Sequence, residues 1–144
     1  MKQLIRCQRG SAMVEFALVM PIVLAVVLST FVFGLAINAK IVVSSAAREG
    51  ARYMAVVNDP HGARVRVEDV IRGGGLPLHH GGDVLFSPGS DIVISFPHPG
   101  LVQVAVHYRQ PSLVPGLPAL LGGSPWSRFF ALTGRALFRV EWSP

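Results

Sequence analysis

The chain has 144 residues, of which 51% are apolar and 15% are charged, and its formal net charge is +5. This length suits one modest domain together with a membrane anchor. The positive charge does not indicate a nucleic-acid binder, because the chain has no Lys/Arg cluster with interleaved aromatic residues. Three of the five net positive charges lie in the first ten residues. From residue 58 onward the chain has seven Arg and six Asp and Glu, so this part is close to neutral.

Those ten residues, MKQLIRCQRG, form a basic leader that contains Lys2, Arg6 and Arg9 and no acidic residue. Cys7 is the chain's single cysteine, so no intrachain disulfide can form. A cysteine beside a membrane segment is a candidate for acylation, but Cys7 lacks the small-residue setting of a lipoprotein signal. We interpret the leader as a topology signal rather than as a ligand site.

A long apolar run follows the leader. Residues 16–39 contain no charged residue over 24 positions, and a helix needs roughly 20 apolar residues to cross the hydrocarbon core. A cleaved secretory signal has an apolar core of about 7–15 residues and an A-x-A-like end, which is absent here. The run therefore predicts a retained transmembrane anchor. The closely packed basic leader favours a cytoplasmic N-terminus and an extracytoplasmic C-terminal domain.

The helix is expected to continue past the membrane, because residues 40–57 are rich in Ala and Val and contain no proline. The Asn-Asp-Pro sequence at 58–60 should end it, since proline disfavours a helical conformation in the residue before it. We predict one helix over residues 11–57 with a kink at Pro21. The predicted organisation is a leader (1–10), a transmembrane part (11–39), an extracytoplasmic extension (40–57) and a small domain (58–144).

The C-terminal domain is predicted to be α+β, with an antiparallel sheet of about three strands. Residues 61–72 form a second helix that ends at the glycines of 73–75, and residues 97–100 form a turn. Alternation with period two predicts strands over 91–96, 102–109 and 135–142. Their inward faces comprise Ile92, Ile94 and Phe96, then Val102, Val104, Val106 and Tyr108, then Ala136, Phe138, Val140 and Trp142.

An apolar segment broken by Pro and Gly, residues 112–127, connects the second and third predicted strands. We expect it to be a long loop with a short apolar segment. It would either cover the edge of the sheet or contact the membrane or a partner subunit.

The most informative sequence is RGSAMVEF at residues 9–16. Gly10 ends the basic leader, and Glu15 stands five residues later in an otherwise apolar helix start. A charge inside a membrane segment costs several kcal/mol, so a partner or a role is expected for it. One interpretation is helix-start chemistry, in which Ser11 caps the helix and the helix dipole stabilises Glu15.

A second interpretation comes from a resemblance of this stretch to the processing site of type IV pilin-like proteins. In that family a prepilin peptidase cuts after the glycine, on the cytoplasmic face of the membrane. The resemblance implies a cut between Gly10 and Ser11, with Glu15 fifth and Phe16 sixth in a mature chain of 134 residues. In a stack of such helices, the ammonium of a neighbouring subunit's N-terminus would be a partner for Glu15.

The resemblance extends along the anchor. GSAMVEFALVMPIVL, followed by FGLAINAK and AAREGARYMAV, is similar to the TadE-like family, with its G-x-A-x-V-E-F-A-L-x-x-P opening and its AAREGAR segment. These motifs cover residues 9–57. The family implies a minor pilin or pseudopilin in the bacterial inner membrane that supports a tight-adherence (Flp-type) pilus or a related secretion apparatus. Its expected partners are prepilin peptidase, other pilin-like Tad subunits and the membrane; the sequence does not separate TadE from TadF.

Arg48 and Arg52 lie one helical turn apart within the AAREGAR segment, and Glu49 reaches Arg52 at a spacing of three residues. One interpretation is a solvated charged face near the lipid headgroups. The other is a docking surface between pilin-like subunits. The residue types do not separate the two.

No constellation typical of an enzyme is present. The five histidines, at 61, 79, 80, 98 and 107, have no metal-ligand spacing, and His79-His80 is expected to be exposed. The glycines of 73–75 lack the Lys-Ser/Thr pair of a phosphate loop. We therefore expect no catalytic activity, cofactor, metal, nucleic acid or small-molecule substrate. The alternative function is an uncleaved, membrane-anchored extracytoplasmic binding module.

Overall fold

The computed structural model describes the backbone of residues 2–112 and 129–141 and the side chains of residues 10–112 and 129–141. The chain divides into two compact units, Met1–Leu35 and Ala36–Pro144, and helix α1, Lys2–Val57, belongs to both. The predicted α+β class is confirmed: a long apolar N-terminal helix is followed by a small domain with an antiparallel sheet.

Helix α1 begins at Lys2, well before residue 11, where the sequence analysis placed its start. The leader is rich in Lys, Gln, Leu, Ile and Arg, which adopt helix readily, and it contains no proline. Gly10 lies inside the helix, at a cost of about 1 kcal/mol relative to alanine. That cost is too small to outweigh the helical preference of the residues on both sides.

In the first unit the described apolar side chains of α1 are exposed except for Val32, which is buried, and such exposure is typical of a span surrounded by lipid. Examples that are at least half exposed are Met13, Phe16, Ile22, Val26, Phe31 and Phe33. Within Gly10–Val57, α1 is long and apolar enough to cross a membrane. The hydroxyls of Ser29 and Thr30 donate to the carbonyls of Ala25 and Val26, at 2.7 and 2.9 Å, so neither is unpaired in the apolar run.

The second unit begins with the C-terminal part of α1, which ends at Val57 as the Asn-Asp-Pro sequence predicted. Asn58 adopts a positive φ of 54°, and Asp59 caps the next helix, α2 (Pro60–Gly73). The carboxylate of Asp59 accepts from the amides of His61 and Gly62 at 2.9 and 3.0 Å. Proline at the first helical position has no amide to satisfy, which suits this start.

The main sheet has three antiparallel strands in the order β3-β4-β5: β3 is Ile92–His98, β4 is Leu101–Pro111 and β5 is Phe129–Arg139. β3 and β4 are joined at Pro99-Gly100, where Gly100 has a φ of 78°. The register places Ala105 of β4 between Val93 and Arg135. The predicted three-stranded sheet is thus confirmed. The second strand is longer than expected, and the third begins six residues earlier than predicted and ends at Arg139, short of the predicted residue 142.

A short hairpin precedes this sheet. Strands β1 (His79–His80) and β2 (Asp83–Val84) pair antiparallel across Gly81 and Gly82, whose φ angles are 58° and 89°. The sequence analysis treated this segment as a loop. Two glycines between extended residues are a hairpin signal, since both central positions of the turn require positive φ. His79 and His80 are exposed, as expected.

One side of the main sheet packs against α1 and α2. The fully buried side chains here include Val102, Val104, Val106 and Tyr108 of β4, as the alternation predicted. The helices contribute Val43, Ala47, Met54, Val67 and Ile71. Ala136, Phe138 and Val140 pack against the same core, which confirms their predicted face.

The prediction that Phe96 shares the buried face of Ile92 is wrong, because Phe96 is 53% exposed. The β3–β4 register shifts between Ser95 and His98. Such an irregularity changes the face on which later side chains lie, which alternation alone does not reveal. Trp142 and residues 113–128, which hold nearly all of the predicted apolar loop, lie outside the described residues.

Two contacts tie the edge strand β5 to α1. The Lys40 ammonium donates to the carbonyl of Thr133, and the amide of Glu141, just past the strand, donates to the carbonyl of Ala55 at 2.9 Å. Gly134 lies so close to α1 that a β-carbon there would be 2.5 Å from the carbonyl oxygen of Val43. Glycine therefore permits the close approach of β5 to the helix backbone.

Candidate functional site

The predicted processing segment lies within α1. Gly10, Ser11, Glu15 and Phe16 are all exposed helical residues. Ser11 is not an N-cap, because the helix begins nine residues before it at Lys2. Glu15 is more than three turns from that start, beyond the first turn in which a helix dipole stabilises an acid. The helix-start interpretation is thus wrong for the full-length chain.

Gly10 has open space around it: a β-carbon built on Gly10 would meet no atom within 4 Å. Gly34, in the same helix, is equally unobstructed. Packing in this chain therefore does not explain glycine at residue 10.

The AAREGAR segment, residues 46–52, divides into two faces. Its small residues Ala46, Ala47, Gly50 and Ala51 are buried against the domain, while Arg48 and Arg52 are exposed. A β-carbon at Gly50 would be 2.5 Å from Cγ2 of Val67 in α2. The small residues thus let α1 and α2 approach closely, and half of the motif has a packing role.

Comparison with known proteins bears on these two segments together. The sequence model of the family described as TadE-like protein matches residues 10–52. The chain carries a TadE-like segment. This confirms the recognition made from the sequence motifs over 43 of the 144 residues. No curated protein and no solved structure is significantly similar to the chain.

The TadE-like match indicates a protein associated with a Tad pilus. The matched residues start at Gly10, contain Glu15 and Pro21, and end at Arg52. α1 continues through Pro21 as one helix. The kink expected at Pro21 stays a prediction.

The three charged residues of the AAREGAR segment, Arg48, Glu49 and Arg52, lie at the domain surface. The Arg52 guanidinium contacts the Glu49 carboxylate at 3.4 Å, and the two side chains are 68% and 36% exposed. An ion pair this exposed contributes little to stability. Arg48 has no ion-pair or hydrogen-bond partner among the described residues. The geometry is compatible with either a solvated face or a docking surface.

A groove between α1 and α2 adds residues that the sequence analysis did not identify. It is lined by Ser45 and Glu49 of α1 and by Arg66, Asp69 and Val70 of α2. The Arg66 guanidinium also lies 5.9 Å from the centre of the Tyr53 ring. The sequence shows which residues share a face within each helix. It does not show which face of α1 meets which face of α2, so this groove could not be predicted.

The last candidates are the possible metal ligands and two polar residues of β4, His107 and Tyr108. Among residues 10–112 and 129–141, whose side chains are described, no group of three His, Cys, Asp or Glu side chains lies close enough to hold a metal ion. The Nδ1 atom of His107 lies 3.1 Å from the Thr133 hydroxyl. Tyr108 is buried, donates to the carbonyl of Pro77 at 2.9 Å, and has its pKa raised to about 12 by desolvation.

Proposed function

We propose that the chain is a minor pilin or pseudopilin-like subunit that supports assembly of a Tad (Flp-type) pilus or a related secretion apparatus. The observation that carries this proposal is the TadE-like match, which begins at Gly10 and spans Glu15, the apolar run and the AAREGAR segment. The match indicates association with a Tad pilus. The subunit's role, its processing and its partners are our inference.

Processing by prepilin peptidase between Gly10 and Ser11 is the first part of the proposal. The open space around Gly10 supports it, because the fold itself does not require glycine there. A residue without a side chain can lie extended in a peptidase cleft. Since the leader is helical in the full-length chain, the peptidase would have to unwind α1 locally around Gly10.

Cleavage would change the position of Glu15 within its helix. In the full-length chain Glu15 is an exposed residue well inside α1. After the cut it would be the fifth residue, close to a new helix N-terminus, where a negative charge is favoured. The new ammonium of a neighbouring pilin-like subunit would be its partner in an assembled helix bundle.

The proposed location is the bacterial inner membrane, crossed once. The basic leader would be cytoplasmic and the domain that follows α1 extracytoplasmic. The exposed apolar surface of α1 supports the membrane assignment, because it would be costly in water. The proposed boundaries remain the leader (1–10), the transmembrane part (11–39), the extension (40–57) and the domain (58–144).

Intact mass of the full chain, purified from membranes of cells with and without prepilin peptidase, tests the proposal. We expect a peptidase-dependent loss of residues 1–10 that Gly10→Ala abolishes. Gly34→Ala is the matched control, because both glycines are helical and unobstructed. It should be processed like the wild type.

A full-length chain in both strains would overturn the processing proposal. It would favour the alternative, an uncleaved anchored binding module. Loss of processing in Gly34→Ala as well would mean that helix stiffness, and not recognition of Gly10, controls the cut. The test therefore separates recognition of the glycine from a general effect on α1.

A further inference from the structure

The main sheet has a second face that neither helix covers. Alternate residues of a strand lie on opposite faces, so the residues between the buried ones of β3, β4 and β5 form this outer face. The outer face is defined by Val93, Ser95, Gln103, Ala105, His107, Arg109, Ala131, Thr133, Arg135, Leu137 and Arg139. The register places three arginines and no carboxylate on it.

These arginines differ from most other cations of the second unit. Arg52 and Arg72 pair with Glu49 and Glu68, and Arg64 donates to the carbonyls of Pro88 and Gly89. Lys40 and Arg66 also have partners, the Thr133 carbonyl and the Tyr53 ring. Among the described residues Arg109, Arg135 and Arg139 have no such partner.

The acidic residues next to these strands in sequence form no ion pair with the outer-face arginines among the described residues. Asp91 directly precedes β3, but its carboxylate accepts from the Ser87 amide at 2.8 Å. Glu141 follows Arg139 by two residues and forms no ion pair among the described residues. Arg135 and Arg139 are four residues apart on β5, or about 13 Å. The positive charge is therefore spread along the strand, which does not suit a small anion.

We propose that this outer face is a docking surface for an acidic face of another membrane-anchored protein. Half-buried Gln103, His107 and Thr133 lie among the arginines and offer directional hydrogen-bonding groups that a protein surface can match. Pairing of this face with the same face of a second copy is disfavoured, since three arginines would then meet three arginines. Charge complementarity therefore points to a different chain.

The size of the face bears on the partner as well. Three strands of up to 11 residues cover about 500 Å², below the roughly 800 Å² per partner of a stable complex. Such an interface is strong enough only if the partner is held nearby. Anchoring both proteins in one membrane would supply the necessary effective concentration. This proposal does not depend on cleavage at Gly10.

The test uses the full chain in its own cells, with the photoreactive residue p-benzoylphenylalanine replacing Ala131 on the outer face. Val65, 45% exposed on α2, is the control position. We expect a protein adduct at residue 131 that is absent at residue 65. Mass spectrometry of the adduct should locate the contact at an acidic segment of another membrane-anchored protein.

Reversing the charge of the outer-face arginines then tests whether the adduct reflects specific docking or only chance proximity of the two proteins. Arg135→Glu with Arg139→Glu should lower the adduct yield about tenfold, because like charges oppose across the interface. Arg66→Glu with Arg72→Glu makes the same change in net charge at two exposed residues of α2 and should leave the yield unchanged. Replacing the partner's contacted acids by Lys should restore the yield with the reversed arginines.

If the reversed pair does not accumulate in the membrane, Arg135→Gln with Arg139→Gln replaces it, and a smaller loss of yield is expected. Four outcomes would overturn the proposal: no adduct above the residue 65 control, adducts only to lipid or to a second copy, an unchanged yield after charge reversal, or an equal loss in both reversed pairs. Each is read from the same gels and spectra, whatever the processing state of the chain.

Discussion

Tyr108 illustrates how one residue can connect the sheet to the segment that follows α2. Its ring is 1% exposed, and its hydroxyl donates to the Pro77 carbonyl at 2.9 Å. Burial opposes the charged phenolate and so raises the pKa of Tyr108 to about 12. Alternation along β4 predicted that this side chain faces inward, but its partner Pro77 is distant in sequence and could not be predicted.

We expect Tyr108 to make the domain unstable in alkali. An unfolded tyrosine has a pKa of about 10, so its contribution is fully present below that pH and is lost as pH rises through the folded value near 12. Between pH 9 and 12 the free energy of unfolding of the wild type should fall relative to Tyr108→Phe, by about 2–3 kcal/mol. Denaturant unfolding of both full chains in detergent measures this, and parallel pH curves would contradict it.

At the scale of secondary-structure elements, α1 and α2 can pack closely because the residues of α1 at their contact are small. Gly50 faces Val67 across the helix pair, and Ala46, Ala47 and Ala51 are buried beside it. A residue larger than glycine at position 50 would overlap a side chain that has no exposed surface. The spacing of this helix pair is therefore set by the small residues of the TadE-like segment.

Gly50→Ala should destabilise the domain, because the added β-carbon would lie 2.5 Å from Val67 Cγ2. We expect a loss of about 1–3 kcal/mol in the free energy of unfolding. Gly73→Ala is the control, since a β-carbon there meets no atom within 4 Å and the substitution should not lower stability. Adding Val67→Ala should cost less in Gly50→Ala than in the wild type, and strict additivity would contradict the contact.

Sequence pattern predicted elements well where each local signal agreed with the packing. Proline and Asp59 marked the boundary between α1 and α2, and alternation marked β4. The first half of β5 was missed because adjacent phenylalanines and Gly134 break the alternation. Gly134 is explained only by the nearby backbone of Val43, which is a tertiary contact.

The candidate site was also predictable only where a local sequence motif marked it. The motifs located Gly10, Glu15 and the AAREGAR segment, and the family match covers them. The sequence did not indicate that α1 extends back to Lys2, because leader and anchor differ in composition but both favour helix. Nor did it indicate the outer face of the sheet, since the register that aligns Arg135 with Ala105 is fixed by strand pairing.

At the scale of the whole molecule, α1 has exposed apolar side chains in the first unit and packs into the domain core in the second. In the first unit α1 exposes apolar side chains, and in the second unit it buries Ala39, Val43, Ala47 and Met54 in the domain core. The pattern of small and large residues along α1 therefore has to satisfy lipid at one end and close packing at the other. That dual demand accounts for the loss of a simple amphipathic pattern along its length.

Cys7 lies in the leader, so its native thiol can report on which side of the membrane the leader lies. We expect an impermeant maleimide to leave Cys7 unlabelled in intact spheroplasts of a strain without peptidase, because the leader should be cytoplasmic. Cysteine at exposed residue 90, in Ser90→Cys with Cys7→Ser, should be labelled from outside. Labelling of Cys7 from outside would reverse the proposed orientation. With peptidase present, the mature wild-type chain should contain no thiol at all.

The burial of α1 within the domain core also governs what can fold by itself. A fragment that starts at Pro60 would leave the inner side of the sheet without the helix that supplies Val43, Ala47 and Met54. It would also lose the acceptor at Ala55 and the donor at Lys40 that hold β5. Any water-soluble version of the domain must therefore retain the last five turns of α1, and with them part of its apolar surface.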